Sequence, residues 1–255
     1  MERKLIKQGQ NALTVTLPSE WTKTNELNAG GIVDLDISEN KVIVSTNEKP
    51  KPKEIVLKLG SESESIIKPR LNLAYRLGFD HIKVLYLTQE QEGIIRKLVE
   101  ELLLGFEVTE TGKGYLIIES VAEPSQEKQE VLLKRTFWII KNNFSEIAED
   151  LHKKDFRNYS KVLEQSLIVN RYINFLNRNI SKNKFNEERI SYHWDFHLKL
   201  LLIQRSLFHL YSVLKEEQKM KLSSSTIKLF LNLKEDFSKL VEGYSKKDFN
   251  LLEIV

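Results

Sequence analysis

The chain is 255 residues long, and since one domain usually takes about 100–200 residues, two or more domains are expected. Apolar residues make up 41% of the sequence and charged residues 29%, a balance typical of proteins that bury hydrophobic cores. The 39 Lys and Arg residues nearly balance the 36 Asp and Glu residues, so the net charge of +3 excludes binding through bulk positive charge alone. The absence of cysteine excludes a disulfide framework, a cysteine-ligated zinc site and a thiol-redox site.

Membrane and export signals are missing from the sequence. No apolar run reaches the roughly 18 residues that a spanning helix needs, and residues 200–203 are typical of the runs present. No apolar segment of the signal-peptide kind follows residues 1–4. We therefore expect a cytoplasmic protein that does not insert into a membrane.

Residues 1–48 are predicted to form short strands. Apolar and polar side chains alternate, as in half-buried strands, in three runs: 13–17, 32–37 and 41–45. Pro18 and the residues up to Trp21 predict the start of a short helix between the first two runs. Asn40 predicts a hairpin turn, and the two prolines within 49–53 predict a linker.

Residues 54–120 are predicted to form a small domain of order β-α-β-α-β-β. The predicted strands cover 55–59, 81–87, 106–110 and 115–119, and the predicted helices cover 63–77 and 88–104. Thr88 caps the second helix, and Gly78 and Gly105 end the two helices. No glycine-rich phosphate loop is present, which argues against a nucleotide site.

Residues 121–255 are predicted to form an antiparallel helical bundle. Apolar residues recur every three or four positions over 137–151, 162–176, 196–214 and 226–241. Residues 137–156 also align with residues 230–249, and the two share the run Lys-Lys-Asp-Phe at their ends. This pattern predicts a three-helix repeat followed by the start of a second one.

The N-terminal motif resembles a known DNA-binding domain. Residues 3–18 end in Leu-Pro, and the pattern continues through Trp21, Leu27 and Gly30 to Val33. In this order the landmarks resemble the swapped-hairpin domain of the AbrB/SpoVT family, in its variant with an LP-x-x-W helix start. The resemblance implies that two chains interleave their hairpins into one β-barrel, which gives a homodimer through residues 1–48.

The same resemblance implies which residues touch DNA, since in that family the first strand and loop carry the basic contacts. The matching positions are Arg3, Lys4 and Lys7, with Gln8, Asn11 and Lys23 as secondary candidates. Cationic side chains of this kind neutralise phosphates, and amides read base edges. Residues 1–48 are not basic overall, however, and the alternative is that these cations are solvated charges on a dimerisation module.

The helical segment resembles the PhoU family of phosphate-uptake regulators, whose unit is a three-helix repeat. The landmarks are the Arg171 and Arg178 region and the run from Gln204 and Arg205 to His209. Archaeal-type relatives combine an AbrB-like N-terminus, a small α/β segment and a PhoU-like bundle in this order. The resemblance implies a DNA-binding transcriptional regulator of phosphate homeostasis. From the residues of this chain we expect no cofactor and no catalytic residues.

Metal binding is where this sequence departs from the PhoU pattern. Bundles of that family bind iron or zinc clusters through acidic side chains, and hard oxygen ligands of this kind need charge. The three matching positions here hold Asn170, Gln204 and Phe208. An amide is a weaker ligand and a phenyl ring is none, so we predict that the clusters are absent.

His193 and His197 are the remaining metal candidates. Their i, i+4 spacing places both on one helix face, but no Glu follows His193, which excludes the zincin motif. A polar pair at the edge of the bundle is the favoured interpretation. No Gly-x-Ser-x-Gly nucleophile motif is present, so we do not expect an enzyme.

A second function class stays open. In it the N-terminal module only dimerises, and the helical bundle docks on a phosphate transporter or a signalling protein. DNA binding separates this adaptor from the regulator.

Overall fold

A computed structural model describes most of the chain. The described residues are 2–9, 12–38, 41–46, 52–122, 127–153, 155–182, 187–217 and 222–248. The chain divides into two compact units, Met1–Lys51 and Pro52–Val255, which are called unit 1 and unit 2. The described residues contain seven helices and three small sheets, so the predicted mixed α+β class is confirmed.

Unit 1 contains two separate antiparallel hairpins. The first pairs β1 (Ile6–Gln8) with β2 (Ala12–Thr14), and the second pairs β3 (Asp34–Ser38) with β4 (Lys41–Ser45). Between them lies α1 (Ser19–Thr24), which begins directly after Pro18 as predicted. In the described part of the chain the hairpins remain two-stranded, and no barrel closes within one chain. The predicted turn residue Asn40 lies outside the described residues.

Neither hairpin of unit 1 buries its apolar side chains. No described residue of the unit is buried, although both hairpins alternate in the manner of strands with one buried face. Ile37 of β3 is 81% exposed, and Ile32 in the loop before it is 77% exposed. Two-stranded sheets are marginal in water, so these apolar surfaces lack the cover that would stabilise them.

Unit 2 begins with a four-stranded sheet and two helices. The elements are β5 (Glu54–Lys58), α2 (Glu64–Arg76), β6 (His81–Leu85), α3 (Gln89–Leu102), β7 (Phe106–Gly112) and β8 (Tyr115–Ser120). The strand order is β5-β6-β8-β7, with β5 and β6 parallel and the other pairs antiparallel. The predicted order of strands and helices is confirmed.

The ends of these helices follow the predicted signals. Thr88 Oγ1 accepts a hydrogen bond from the backbone N–H of Gln91 at 3.2 Å, which satisfies one donor at the start of α3. Gly105 follows α3 with φ of 78°, and a Cβ atom there would lie 1.9 Å from the carbonyl oxygen of Ala122. Glycine is therefore required at this position for both conformation and space.

Four long helices complete unit 2: α4 (Glu127–Lys153), α5 (Tyr159–Lys182), α6 (Glu187–Glu216) and α7 (Ser224–Lys246). The predicted helical C-terminal region is confirmed. Phe144 of α4 lies 5.6 Å from Phe230 of α7 between ring centroids, and Phe137 lies 6.4 Å from Phe237, so the two helices run antiparallel. These four rings are the phenylalanines that align in the two repeats, and in the fold they pack against one another.

None of the described helices is long and apolar enough to cross a membrane. The bundle core is instead shared among all four long helices, with buried residues such as Ile140, Ile173, Leu207 and Tyr211. The sheet buries a second core beneath α2 and α3, with Ile82, Leu98 and Leu116 almost without exposure.

Candidate functional sites

Arg178 joins the sheet to the bundle. Its side chain is 1% exposed, and Nη2 donates to Asp80 Oδ1 at 2.5 Å while Nη1 donates to the carbonyl oxygen of Phe79 at 2.7 Å. The guanidinium also lies over the ring of Phe106, with 4.6 Å between Cζ and the centroid. Because α5 carries Arg178 and the other groups belong to the sheet region, this contact fixes α5 against α2 and the sheet.

Asp80 is held in its charged form at this joint. Partial burial acts to raise its pKa, but hydrogen bonds from Lys182 and from the backbone N–H of Lys53, with the positive charge of Arg178, hold the pKa below its ordinary value. A buried guanidinium needs such an anion, because an unpaired buried charge is costly. The Arg178–Asp80 pair therefore belongs to the framework of unit 2.

Five of the six predicted DNA-contacting residues are described by the structure, and these lie on the surface of unit 1. Arg3 and Lys4 precede β1, Lys7 and Gln8 lie on β1, and the four side chains are exposed. Lys7 is paired in register with Leu13 of β2. Lys23 is exposed in the last turn of α1, and Asn11 lies outside the described residues. These cations are thus available to an external partner.

The three positions where the PhoU pattern has acids carry side chains without negative charge. Asn170 of α5 is buried, with its Oδ1 3.5 Å from Nη2 of Arg205. Gln204 is buried in the bundle, where its Oε1 accepts a hydrogen bond from Nδ2 of Asn143 at 2.9 Å. The ring of Phe208 lies 5.5 Å from that of Tyr159. Each side chain is used in packing or in a hydrogen bond.

His193 and His197 lie on α6 with 6.4 Å between ring centroids. His193 is exposed, whereas His197 is buried with Nδ1 2.8 Å from Oδ1 of Asn177. Within the described residues, no group of three or more His, Asp or Glu side chains is arranged to hold a metal ion. The pair alone supplies two ligands, and a protein zinc site ordinarily uses three or four.

A cleft between α2, α5 and α6 was not predicted. Its volume is about 670 Å³, and its walls carry three cations, Lys68 and Arg76 from α2 and Arg205 from α6. Leu163 of α5 and Trp194 of α6 are among its apolar residues. None of the described residues that line it is acidic. We call it the α2–α5–α6 cleft.

Buried amides fix the cationic side of this cleft. Nε and Nη2 of Arg76 both donate to Oδ1 of Asn174, at 2.8 and 2.6 Å. Asn174 is fully buried, and its Nδ2 donates to Oδ1 of Asn72 at 3.1 Å. Burial, and secondarily the charge of Arg205, lowers the pKa of Arg76. The guanidinium groups of Arg76 and Arg205 therefore repel each other across the cleft. The amide partner of Arg76 is neutral and does not offset this repulsion.

The sequence held a partial signal for this cleft. Lys68, Asn72 and Arg76 follow one another at intervals of four, which places them on one face of α2. Polar residues on one face are typical of a solvated helix surface, so the spacing alone does not distinguish a site. The missing information was that α5 and α6, which begin more than 80 residues after the end of α2, cover this face.

Comparison of the chain with family models, curated proteins and solved structures finds no match.

Proposed function

We propose that the protein is a DNA-binding transcriptional regulator that works as a homodimer through unit 1 and is linked to phosphate homeostasis. The observation that carries the proposal is the exposure of both apolar hairpins in a single chain. A second copy that interleaves its hairpins would cover them and close the β-barrel expected for an AbrB-like module. The helical bundle then serves as the PhoU-like sensing or docking part.

The apolar surfaces of unit 1 favour a partner of the same kind. In the second hairpin, Leu35 and Ile37 of β3 and Val42 of β4 are 59%, 81% and 62% exposed. The pairing of Ile37 with Val42 places the three side chains on one face. A contiguous apolar surface on a small module marks an interaction site. Because each copy carries the same hairpins, a twofold arrangement would bury both sets at once.

The distribution of charge supports DNA as the ligand of this dimer. Three cations lie at or just before β1: Arg3 and Lys4 precede the strand, and Lys7 is part of it. A dimer presents this set twice. Two sets of cations at a fixed spacing suit the phosphates of a duplex, and nearby Gln8 adds an amide for base edges. Such a surface binds DNA without a high net charge on the whole chain.

Gel shifts with genomic fragments test the proposal. They are run at about 50 mM and about 200 mM salt, because DNA affinity that comes from counterion release falls steeply over this range. The Arg3→Ala/Lys4→Ala/Lys7→Ala variant should bind all fragments more weakly and with a shallower salt dependence, because fewer phosphates are neutralised. The helical content should not change, since the three side chains are exposed.

A matched control removes three exposed lysines from unit 2. The variant Lys134→Ala/Lys199→Ala/Lys246→Ala loses the same charge from surface ion pairs of the long helices and should bind DNA as the unmodified protein does. If the N-terminal variant and the control bound DNA equally well, the cations of β1 would not be the contacts. If the unmodified protein bound no fragment, the adaptor function would replace the regulator.

A further inference from the structure

We propose that the α2–α5–α6 cleft binds a small organic phosphate, a ligand in which a phosphate group is joined to a flat apolar group. This inference does not rest on the DNA-binding proposal, because it uses only side chains of unit 2. The cleft volume of about 670 Å³ is within the range of pockets that hold small ligands.

The charge of the cleft favours an anionic ligand. Lys68, Arg76 and Arg205 line it, and the described lining residues include no carboxylate that would compensate them. Within the described part of the chain, the hydrogen-bonding side chains on the two arginines are amides, Asn174 for Arg76 and Asn170 for Arg205. Like charges held near one another at a partly buried site are unfavourable, and a bound anion relieves their repulsion.

The chemistry of the donors suits phosphate. Guanidinium groups present several N–H donors in one plane and bind phosphate through paired hydrogen bonds, and the ammonium group of Lys68 adds a third cation. A glycine-rich loop is not needed for this mode, because side chains rather than backbone N–H groups supply the donors. Asn174 holds the Arg76 guanidinium in place before any ligand arrives.

The apolar wall of the cleft indicates the rest of the ligand. Trp194 and Leu198 of α6 and Leu163 of α5 line the cleft beside the cations, and Leu198 and Leu163 are exposed. An inorganic anion would leave these side chains in water. A flat apolar or aromatic group would cover them and stack on the indole of Trp194.

Calorimetric titration of the full chain tests the site, in a buffer free of phosphate and sulfate. AMP is the probe, because it carries both a phosphate and a flat ring system. Adenosine and inorganic phosphate each carry one of the two. We expect AMP to bind more tightly than either of the other two probes. Absence of AMP binding at millimolar concentration, or equal binding of AMP and adenosine, would overturn the proposal.

Variants assign the binding to the cleft. Arg205→Ala should weaken AMP binding at least tenfold, and because this side chain is exposed, the fold should be retained. The matched control is Arg157→Ala, which removes an exposed arginine of the α4–α5 connection and should leave AMP binding within twofold. Equal binding by the two variants would place AMP elsewhere and contradict the proposal.

Trp194→Ala separates the two parts of the ligand site. It should weaken AMP binding and leave the affinity for inorganic phosphate unchanged, because phosphate does not reach the apolar wall. A loss of phosphate affinity equal to the loss of AMP affinity would show that the indole supports the cations rather than the ring, and the apolar half of the proposal would be wrong.

Discussion

His197 is a neutral buried imidazole in the interface between α5 and α6. Burial, assisted by the charge of His193, lowers the pKa of His197 from 6.5 to about 4. Its Nδ1 lies 2.8 Å from Oδ1 of Asn177, a contact that a neutral ring makes without a counterion. In the folded protein, protonation of His197 is therefore unfavourable at any pH well above 4.

This burial predicts that unit 2 loses stability as the pH falls from about 6.5 towards 4. In that range the unfolded chain binds a proton at His197 that the folded chain does not, so the free energy of unfolding decreases with decreasing pH. A shift from 6.5 to about 4 corresponds to a loss of about 3 kcal/mol. Urea unfolding curves at neutral and mildly acidic pH measure it.

Two histidine variants on the same helix separate this effect from others. His197→Gln should flatten the pH dependence, whereas His209→Gln, at an exposed position of α6, should retain it. An unchanged pH dependence in the His197→Gln variant would show that another group carries the effect.

We predict that the protein contains little bound metal, because the positions that would carry acidic ligands hold Asn170, Gln204 and Phe208. None of the three supplies negative charge, and their side chains are engaged in contacts with Arg205, Asn143 and Tyr159. A cation does not exchange its water ligands for an amide and a phenyl ring. We expect well under one equivalent of iron or zinc per chain by elemental analysis, and a melting temperature that a chelator does not change.

A stoichiometric metal content would contradict this prediction. The His193→Ala/His197→Ala variant would then be the first test of where the metal lies, because these two imidazoles are the i, i+4 pair of the bundle.

Individual elements followed from the sequence far better than the contacts between them. The four long helices were predicted by their apolar period, and Thr88 and Gly105 marked helix ends, because these signals are local. The Arg178–Asp80 pair joins residues 98 positions apart, and no local pattern indicates which acid a buried arginine will meet. The α2–α5–α6 cleft was missed for the same reason.

The joint between α5 and the sheet predicts unequal effects for its two cations. Arg178→Met should destabilise unit 2 by about 3–5 kcal/mol, because it leaves buried polar groups without their partner. Lys182→Met should cost about 1 kcal/mol or less, since Lys182 is more exposed and Arg178 still pairs with Asp80. Urea unfolding measures both, and equal losses would show that Arg178 has no special role.

At the scale of the whole molecule, the proposed assembly depends on unit 1. Ile37 of β3 is 81% exposed in one chain, and we expect a second copy to cover it. The Ile37→Asp variant should therefore sediment as a monomer at micromolar concentration, because a buried carboxylate in the dimer would lack a partner. Helical content should be retained, since unit 2 is compact by itself.

Leu87→Asp is the matched control for this prediction. Leu87 is 70% exposed in unit 2, so the change introduces the same charge at a position that the proposed dimer does not use. This variant should sediment as the unmodified protein does. If the unmodified protein were itself a monomer at these concentrations, the dimeric β-barrel would be wrong.

The position of Arg178 in the chain also sets an order of events during synthesis. Asp80 leaves the ribosome 98 residues ahead of Arg178, an interval of about 5–20 s at translation rates of about 5–20 residues per second. From the moment that β8 has been made until Arg178 follows, the sheet, α2 and α3 exist without the helix that completes them. Refolding of the finished chain from urea has no such wait, so the nascent protein and the refolding protein reach the same fold along different routes.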